Sequence, residues 1–322
     1  MTWMVRSPPM FFVHYPLKFS ALALVSTLTV LLPFGDARTE ARDPIPIVVT
    51  IPILKDLAEQ IGGPYVRVTS LLSGYENEHT YSPKPSDLVA VRKARLLFEI
   101  GLGLEVWVSS LVKNAGGQTL RVVTTSHGVE LIQDGTDTHE DAHTGRTAMD
   151  PEGNPHIWLD PVNVLIMLRH ITDALIEIDP VHEAEFRANQ AAYHERLRQL
   201  QKELSTRTQM LADRRFIAHH SAWPYLAKRF DLHIVGTIHI QASTEPSALH
   251  LQSLIGKIRK EQIKVIASEI QLSQRLPELL ARETKARVVV LTTMPGGLPG
   301  TETYLDMLRY NVLQLADALE AP

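Results

Sequence analysis

Apolar residues in this chain gather into short runs separated by amphipathic stretches, and the alternation of the two predicts an architecture. PIPIVVT, starting at Pro44, reads as a buried strand, and the ILKDLAEQIGG that follows reads as a helix stopped by the Gly62-Gly63 pair. VRVTSLL predicts a second strand. Pro85-Ser86-Asp87 opens a helix whose Leu88, Val91 and Ala94 share one face. RLLFEIG and RVVTTS predict a third and a fourth strand. The pattern is then lost between residues 133 and 153, where polar and acidic residues without any period predict a loop. Asp160-Pro161 marks the next helix start, with Asp as N-cap and Pro in the first turn.

Past Pro180 the period changes scale. Phe186, Tyr193, Leu197, Leu200, Leu204 and Leu211 fall on one stripe, and no Gly or Pro interrupts residues 181–210. A helix over that stretch spans roughly 45 Å, enough to run along two small domains. Strand and helix patterns then resume. RFIAHH, LHIVGTI, VIASEI and RVVVLTT read as strands, and SAWPYLAKRF, SALHLQSLIGKIRKEQ, LSQRLPELLARETKA and residues 302–319 as helices. Strands alternating with helices predict parallel sheets covered on both faces. The expected fold class is therefore α/β, with two βα lobes joined by a long rigid helix. The expected boundaries are residues 42–180 for the first lobe, 181–212 for the linking helix and 213–322 for the second lobe.

The first 41 residues read differently. Arg6 and Lys18 precede an apolar run over residues 19–34, and the small residues Gly35 and Ala37 follow it. That order predicts a cleaved secretory signal peptide over residues 1–41, since the run is shorter than the ~20 residues of a spanning helix. Composition narrows the chemistry. The 322 residues are 44% apolar, enough for two domains, and the formal net charge of −4 comes with no basic stripe, which argues against a nucleic-acid partner. The chain holds no cysteine. Disulfides, thiolate metal sites and attachment of lipid to a cysteine are thereby excluded, and any metal must be held by His, Asp or Glu.

Fourteen histidines are present. His170, His182, His194 and His250 lie inside helical patterns and read as packing or solvated residues. His79 in GYENEHTYSPKPSD, His156 in NPHIWLDP, and the His219-His220 pair ending RFIAHH sit instead at strand ends or helix starts. Sites in α/β sheets form there. Strand alternation lets only one of His219 and His220 point into a cleft, and the sequence leaves open which. His239 is a further histidine at the end of a strand pattern. His139, Glu140, Asp141 and His143 lie in the polar loop, which by itself reads as a solvated segment.

Several motifs, in order along the chain, resemble the zinc/manganese class of periplasmic substrate-binding proteins. EHTYSPKPSD resembles PHxYEPxPSD, NPHIWLDP is similar to DPHxWLDP, and HHSAWPYLAKRFDL is similar to HxAWxYFAxRFGL. IASEIQLSQRL and TYLDMLRYNV resemble the segment entering the cleft from the second lobe and the closing helix. The resemblance runs from about Pro46 to the C-terminus. It implies a metal site in the cleft between lobes, with His79 and His156 from the first lobe and His220 from the second. It also implies high-affinity zinc capture for an ABC permease and its ATPase, by a periplasmic monomer with no enzymatic activity, and likens the loop holding His139 and His143 to a weak zinc collector; the absence of cysteine adds the expectation of no lipid anchor. His at the third position points to Zn²⁺ rather than Mn²⁺, because imidazole suits zinc and carboxylate suits manganese. Glu269 is expected as fourth ligand, with Glu78 or water as alternatives. A manganese- or iron-type binding protein is the alternative function within the family, and a zinc hydrolase the alternative outside it, since three histidines and an open position also activate water.

Overall fold

The computed structural model describes residues 9–14, 43–116, 119–133, 153–239 and 244–321. The expected signal segment and the histidines of the 133–153 loop lie almost wholly outside these residues. Residues 42–322 form one compact unit.

Two four-stranded sheets organise that unit. The first contains β1 (Ile45–Val49), β2 (Val66–Ser70), β3 (Leu96–Glu99) and β4 (Arg121–Thr124) in the order β2-β1-β3-β4. The second contains β5 (Arg215–His220), β6 (His233–His239), β7 (Val265–Glu269) and β8 (Arg287–Leu291) in the order β6-β5-β7-β8. All pairings are parallel. The strands are Val/Ile-rich because both faces of each sheet are covered. In both sheets the chain starts in an inner strand, moves to one edge and crosses back, so the order reverses beside that first strand. In the second sheet the reversal lies between β5 and β7, which end in His220 and Glu269. Crevices outside the strand ends at such points are the usual ligand sites of open α/β sheets.

In the first lobe α1 (Pro52–Gly62), α2 (Pro85–Lys93), α3 (Val108–Ala115) and α4 (Pro161–Ile178) cover the sheet. Sequence periodicity missed α3, which is only eight residues long and has no polar cap. Asp160 caps α4 as expected, accepting from the Val162 amide at 2.8 Å. The linking helix α5 (Glu183–Gln209) is preceded by a short 3-10 turn and spans roughly 40 Å. Its stripe residues are buried to 5% exposure or less, Leu211 beyond its end included. They pack on α1 and α4 of the first lobe and on α6 (Pro224–Phe230) and α9 (Tyr304–Glu320) of the second. The stripe is therefore consumed within the chain, as a linking helix requires. The outer face of the second sheet is closed by α7 (Ala248–Glu261) and α8 (Arg275–Thr284) over a separate small core that includes Ile238, Ile258 and Leu280.

One large core runs without interruption from Ile45 to Leu319, through both lobes and α5. Polar bonds reinforce it across the boundary. Arg229 of α6 makes a two-pronged pair with Asp160, both bonds at 2.7 Å. Trp158 donates its indole N–H to the Thr293 carbonyl at 2.7 Å, and Tyr304 donates its hydroxyl to the Trp158 carbonyl at 2.9 Å. Gln271 donates to the Gly74 carbonyl at 2.8 Å. Gly74 is needed at that contact, because at its φ of +101° a Cβ would stand 2.7 Å from the Pro295 carbonyl oxygen. A shared core and bonds on several sides join the two lobes where their strand-end faces meet.

Candidate metal centre

The three histidines come from three separate elements. His79 lies in the loop between β2 and α2. An Asn77 side-chain oxygen accepts from its backbone N–H at 2.9 Å, and Tyr81 anchors the loop by donating to Asp87 at 2.7 Å. His156 precedes the turn into α4, where the Trp158 ring beside it is fully buried. His220 ends β5. The fold brings them together across the lobe boundary. The Nε2 atoms of His79 and His156 are 3.2 Å apart, and those of His220 and His156 are also 3.2 Å apart. These three residues are the one group of three or more candidate ligands that converge among the described residues. His156 and His220 are 2% and 3% exposed, whereas His79 is only partly buried and forms the accessible side of the cluster.

A tetrahedral zinc ion with Zn–N bonds of about 2.0–2.1 Å has ligand–ligand edges of roughly 3.3–3.4 Å. The two separations of 3.2 Å fall just short of that edge, and the ligand atoms of all three residues lie within 4.8 Å of one another, a spacing that could hold such an ion. Two of the three rings are held neutral. Burial, followed by the charge of His220, pulls the His79 pKa down to about 4. Burial, with His220 and His79 adding to it, pulls His156 well below the ordinary histidine range. Neutral imidazoles with facing lone pairs are what a metal requires.

The structure settles which of the β5 pair faces the cluster. His220 does. The fully buried His219 turns to the other side of the sheet, where its Nδ1 accepts from the Glu269 backbone N–H at 3.2 Å. Burial lowers the His219 pKa to about 4. His239 lies beside His219, with ring centroids 5.4 Å apart, and outside the converging group.

Glu269 is placed differently from the expectation of a fourth ligand. It stands behind His220, on the Nδ1 side of the ring, away from Nε2. Its Oε1 accepts from His220 Nδ1 at 2.7 Å, from the His220 backbone N–H at 3.2 Å and from the Trp223 indole at 2.9 Å. A carboxylate there holds Nδ1 protonated and leaves the Nε2 lone pair free toward the cluster. Burial alone would raise the Glu269 pKa, but His220, His219 and the Trp223 N–H outweigh it, and the pKa is lowered. Sequence position showed that Glu269 would reach the cleft. It could not show that the carboxylate would meet the back of a ring.

Glu78 is the carboxylate that faces the nitrogens. Its Oε1 lies 3.7 Å from His156 Nε2, is buried, and has no hydrogen-bond partner. Burial raises its pKa to about 7. A buried carboxylate oxygen without a donor is costly unless a proton or cation meets it. Asn154, not picked out by the sequence reading, is the remaining polar group at the cluster, with its Oδ1 2.9 Å from His156 Nδ1.

Comparisons with known proteins point to one family. A family model described as the periplasmic zinc-uptake complex component A matches residues 47–318. The chain is 27% identical to the high-affinity zinc uptake system protein ZnuA of Bacillus subtilis, over 94% of this chain and 98% of that protein. It is 28% identical to the iron-binding protein YfeA of Yersinia pestis, over 84% of this chain and 85% of that one. A crystal structure of ZnuA superposes with a TM-score of 0.75 at 29% identity, covering 86% of this chain and all of that one. With its two parallel sheets, linking helix and boundary histidines, the chain belongs to the family of the periplasmic zinc-uptake component A.

Proposed function

We propose that this protein captures one Zn²⁺ between its lobes and delivers it to an ABC permease powered by its ATPase. The convergence of three buried or half-buried histidines, with His156 Nε2 3.2 Å from the Nε2 of each of the other two, carries the reading. His79, His156 and His220 are the proposed ligands. Glu78 is the proposed fourth donor in place of Glu269, because its oxygen faces the nitrogens and has no other partner. Three imidazoles and one carboxylate form a donor set of net charge −1 that favours zinc over manganese. The ion is cargo, and nothing in the arrangement needs to turn over. Export past a leader in residues 1–41 would place the protein in the periplasm. Among the described residues no helix is long and apolar enough to cross a membrane.

Competition with a chromophoric chelator tests the reading. Wild-type protein is expected to withdraw one equivalent of zinc, and His156→Ala to lose that ability. Equal zinc retention by His156→Ala would sink the assignment.

A further inference from the structure

Asn154 makes a set of bonds that holding a metal does not by itself require. The residue is fully buried at the lobe boundary. Its Oδ1 accepts from the His156 backbone N–H at 3.0 Å and lies 2.9 Å from His156 Nδ1. Its Nδ2 donates to the carbonyl of Ser221, the residue after His220, at 2.5 Å. Its own carbonyl accepts from the Tyr225 hydroxyl at 2.9 Å. The amide orientation is fixed by its partners, since a backbone N–H can only donate and a backbone carbonyl can only accept. With Oδ1 as acceptor, His156 carries its proton on Nδ1 and turns its Nε2 lone pair toward the other two histidines.

Only a side chain that accepts at one end and donates at the other can serve both turns. An ionised carboxylate would still accept from His156 but would press an oxygen against the Ser221 carbonyl oxygen. A hydroxyl sits on Cβ and lacks the second atom that reaches across. The amide therefore joins the turn carrying one ligand to the turn carrying another, on opposite lobes. Of the other boundary bonds, those from Arg229 to Asp160 and from Trp158 to Thr293 have neither partner next to a histidine of the second lobe.

We propose that Asn154 is a positioning residue that latches the His156 turn to the His220 turn and sets how long a captured ion is retained. The inference rests on the metal-site reading above. An ion leaves once ligands of one lobe part from those of the other, and that parting breaks the bond from Asn154 to Ser221. Capture begins at the accessible His79 side and does not need the bond broken. Weakening the latch should then speed release and leave uptake almost unchanged.

Stopped-flow release of zinc from the full chain into excess chelator, together with the uptake rate, tests this. Asn154→Asp keeps the acceptor for His156 and loses the donor to Ser221, and because its added charge behind His156 would by itself slow release, faster release reports the lost latch. It is expected to release zinc about tenfold faster or more, with uptake within about threefold of wild type. Tyr225→Phe removes a boundary bond to the same residue without touching the amide, and it is expected to change release by less than about threefold. Thermal unfolding of the metal-free forms identifies a variant that fails to fold. In that case Asn154→Gly, which removes the side-chain bonds to His156 and to Ser221 together and places no charge, gives the same comparison. Wild-type release rates in the Asn154 variants overturn the latch, as does equal acceleration in Tyr225→Phe. Wild-type protein that takes up no zinc overturns the metal site itself, and the latch with it.

Discussion

Replacing Glu269 by Gln removes a charge and one oxygen from behind His220 while keeping the shape of the side chain. In the wild type Oε1 serves three donors, namely His220 Nδ1, the His220 backbone N–H and the Trp223 indole. Both carboxylate oxygens lie close to Nδ1, at 2.7 and 2.6 Å. A Gln can still accept with Oε1, and once its amide N–H turns slightly away from Nδ1 the fold and the approximate ring orientation should survive. What is lost is the anion that makes His220 a stronger donor and stabilises the charge arriving with the metal. Loss of such a partner lowers metal affinity by about 10- to 100-fold, or roughly 1.4–2.7 kcal/mol. Chelator competition measures the affinity, and cobalt substitution with visible spectroscopy reports the geometry. One metal per chain with an unchanged cobalt spectrum and weakened affinity is expected. Unchanged affinity would refute the argument that Glu269 tunes His220. A cobalt spectrum showing one fewer donor would restore Glu269 as a direct ligand.

Other variants probe neighbouring parts of the account. Glu78→Gln should weaken zinc by about tenfold or more and remove an oxygen donor from the X-ray absorption signal of bound zinc; an unaltered signal would assign the fourth position to water. Arg229→Met strands Asp160, which is 5% exposed, and should cost about 2 kcal/mol in urea unfolding, less than a fully buried pair because Arg229 keeps some contact with solvent. A stability loss below about 0.5 kcal/mol would show that the pair does not tie the lobes. Glu105 supplies a pH test away from the metal. It is buried behind β1 and β3, accepting from Thr50 at 2.7 Å and from the Ile100 and Gly101 amides at 2.9 Å, and burial raises its pKa to about 7. Since the folded value lies above the unfolded one, its contribution is full below about pH 4.5 and is lost as pH rises through about 7. Wild-type stability relative to Glu105→Gln should therefore fall by up to about 3 kcal/mol between pH 5 and 8, and a flat difference would contradict the burial argument.

Much of the fold was legible because its strands are apolar runs bounded by Gly and Pro, and because a linking helix must carry one long stripe. All eight strands read from the sequence are present, and Asp160 and the stripe from Phe186 to Leu211 take the expected places. The last helix starts at Tyr304, two residues later than expected, because the Thr303 side chain caps it by accepting from the Asp306 amide. The helix Val108–Ala115 escaped because two turns carry too few apolar positions to show a period. At the site, motif likeness located the histidines, and alternation reduced the β5 pair to a choice that only tertiary contacts decide. The separate placements of Glu78, Glu269 and Asn154 around the rings were hidden for the same reason. Each depends on which atom of a side chain meets which face of a ring contributed by a distant segment, and that is fixed by packing across the lobes.

The central claim is that three imidazoles and one carboxylate at the lobe boundary select zinc. Metal-stripped protein dialysed against equal free concentrations of Zn²⁺ and Mn²⁺, then assayed for metal content, tests it most directly. The account predicts close to one zinc per chain and negligible manganese, falling to neither metal in His220→Ala. One manganese per chain with little zinc, or zinc content unchanged in His220→Ala, would contradict it.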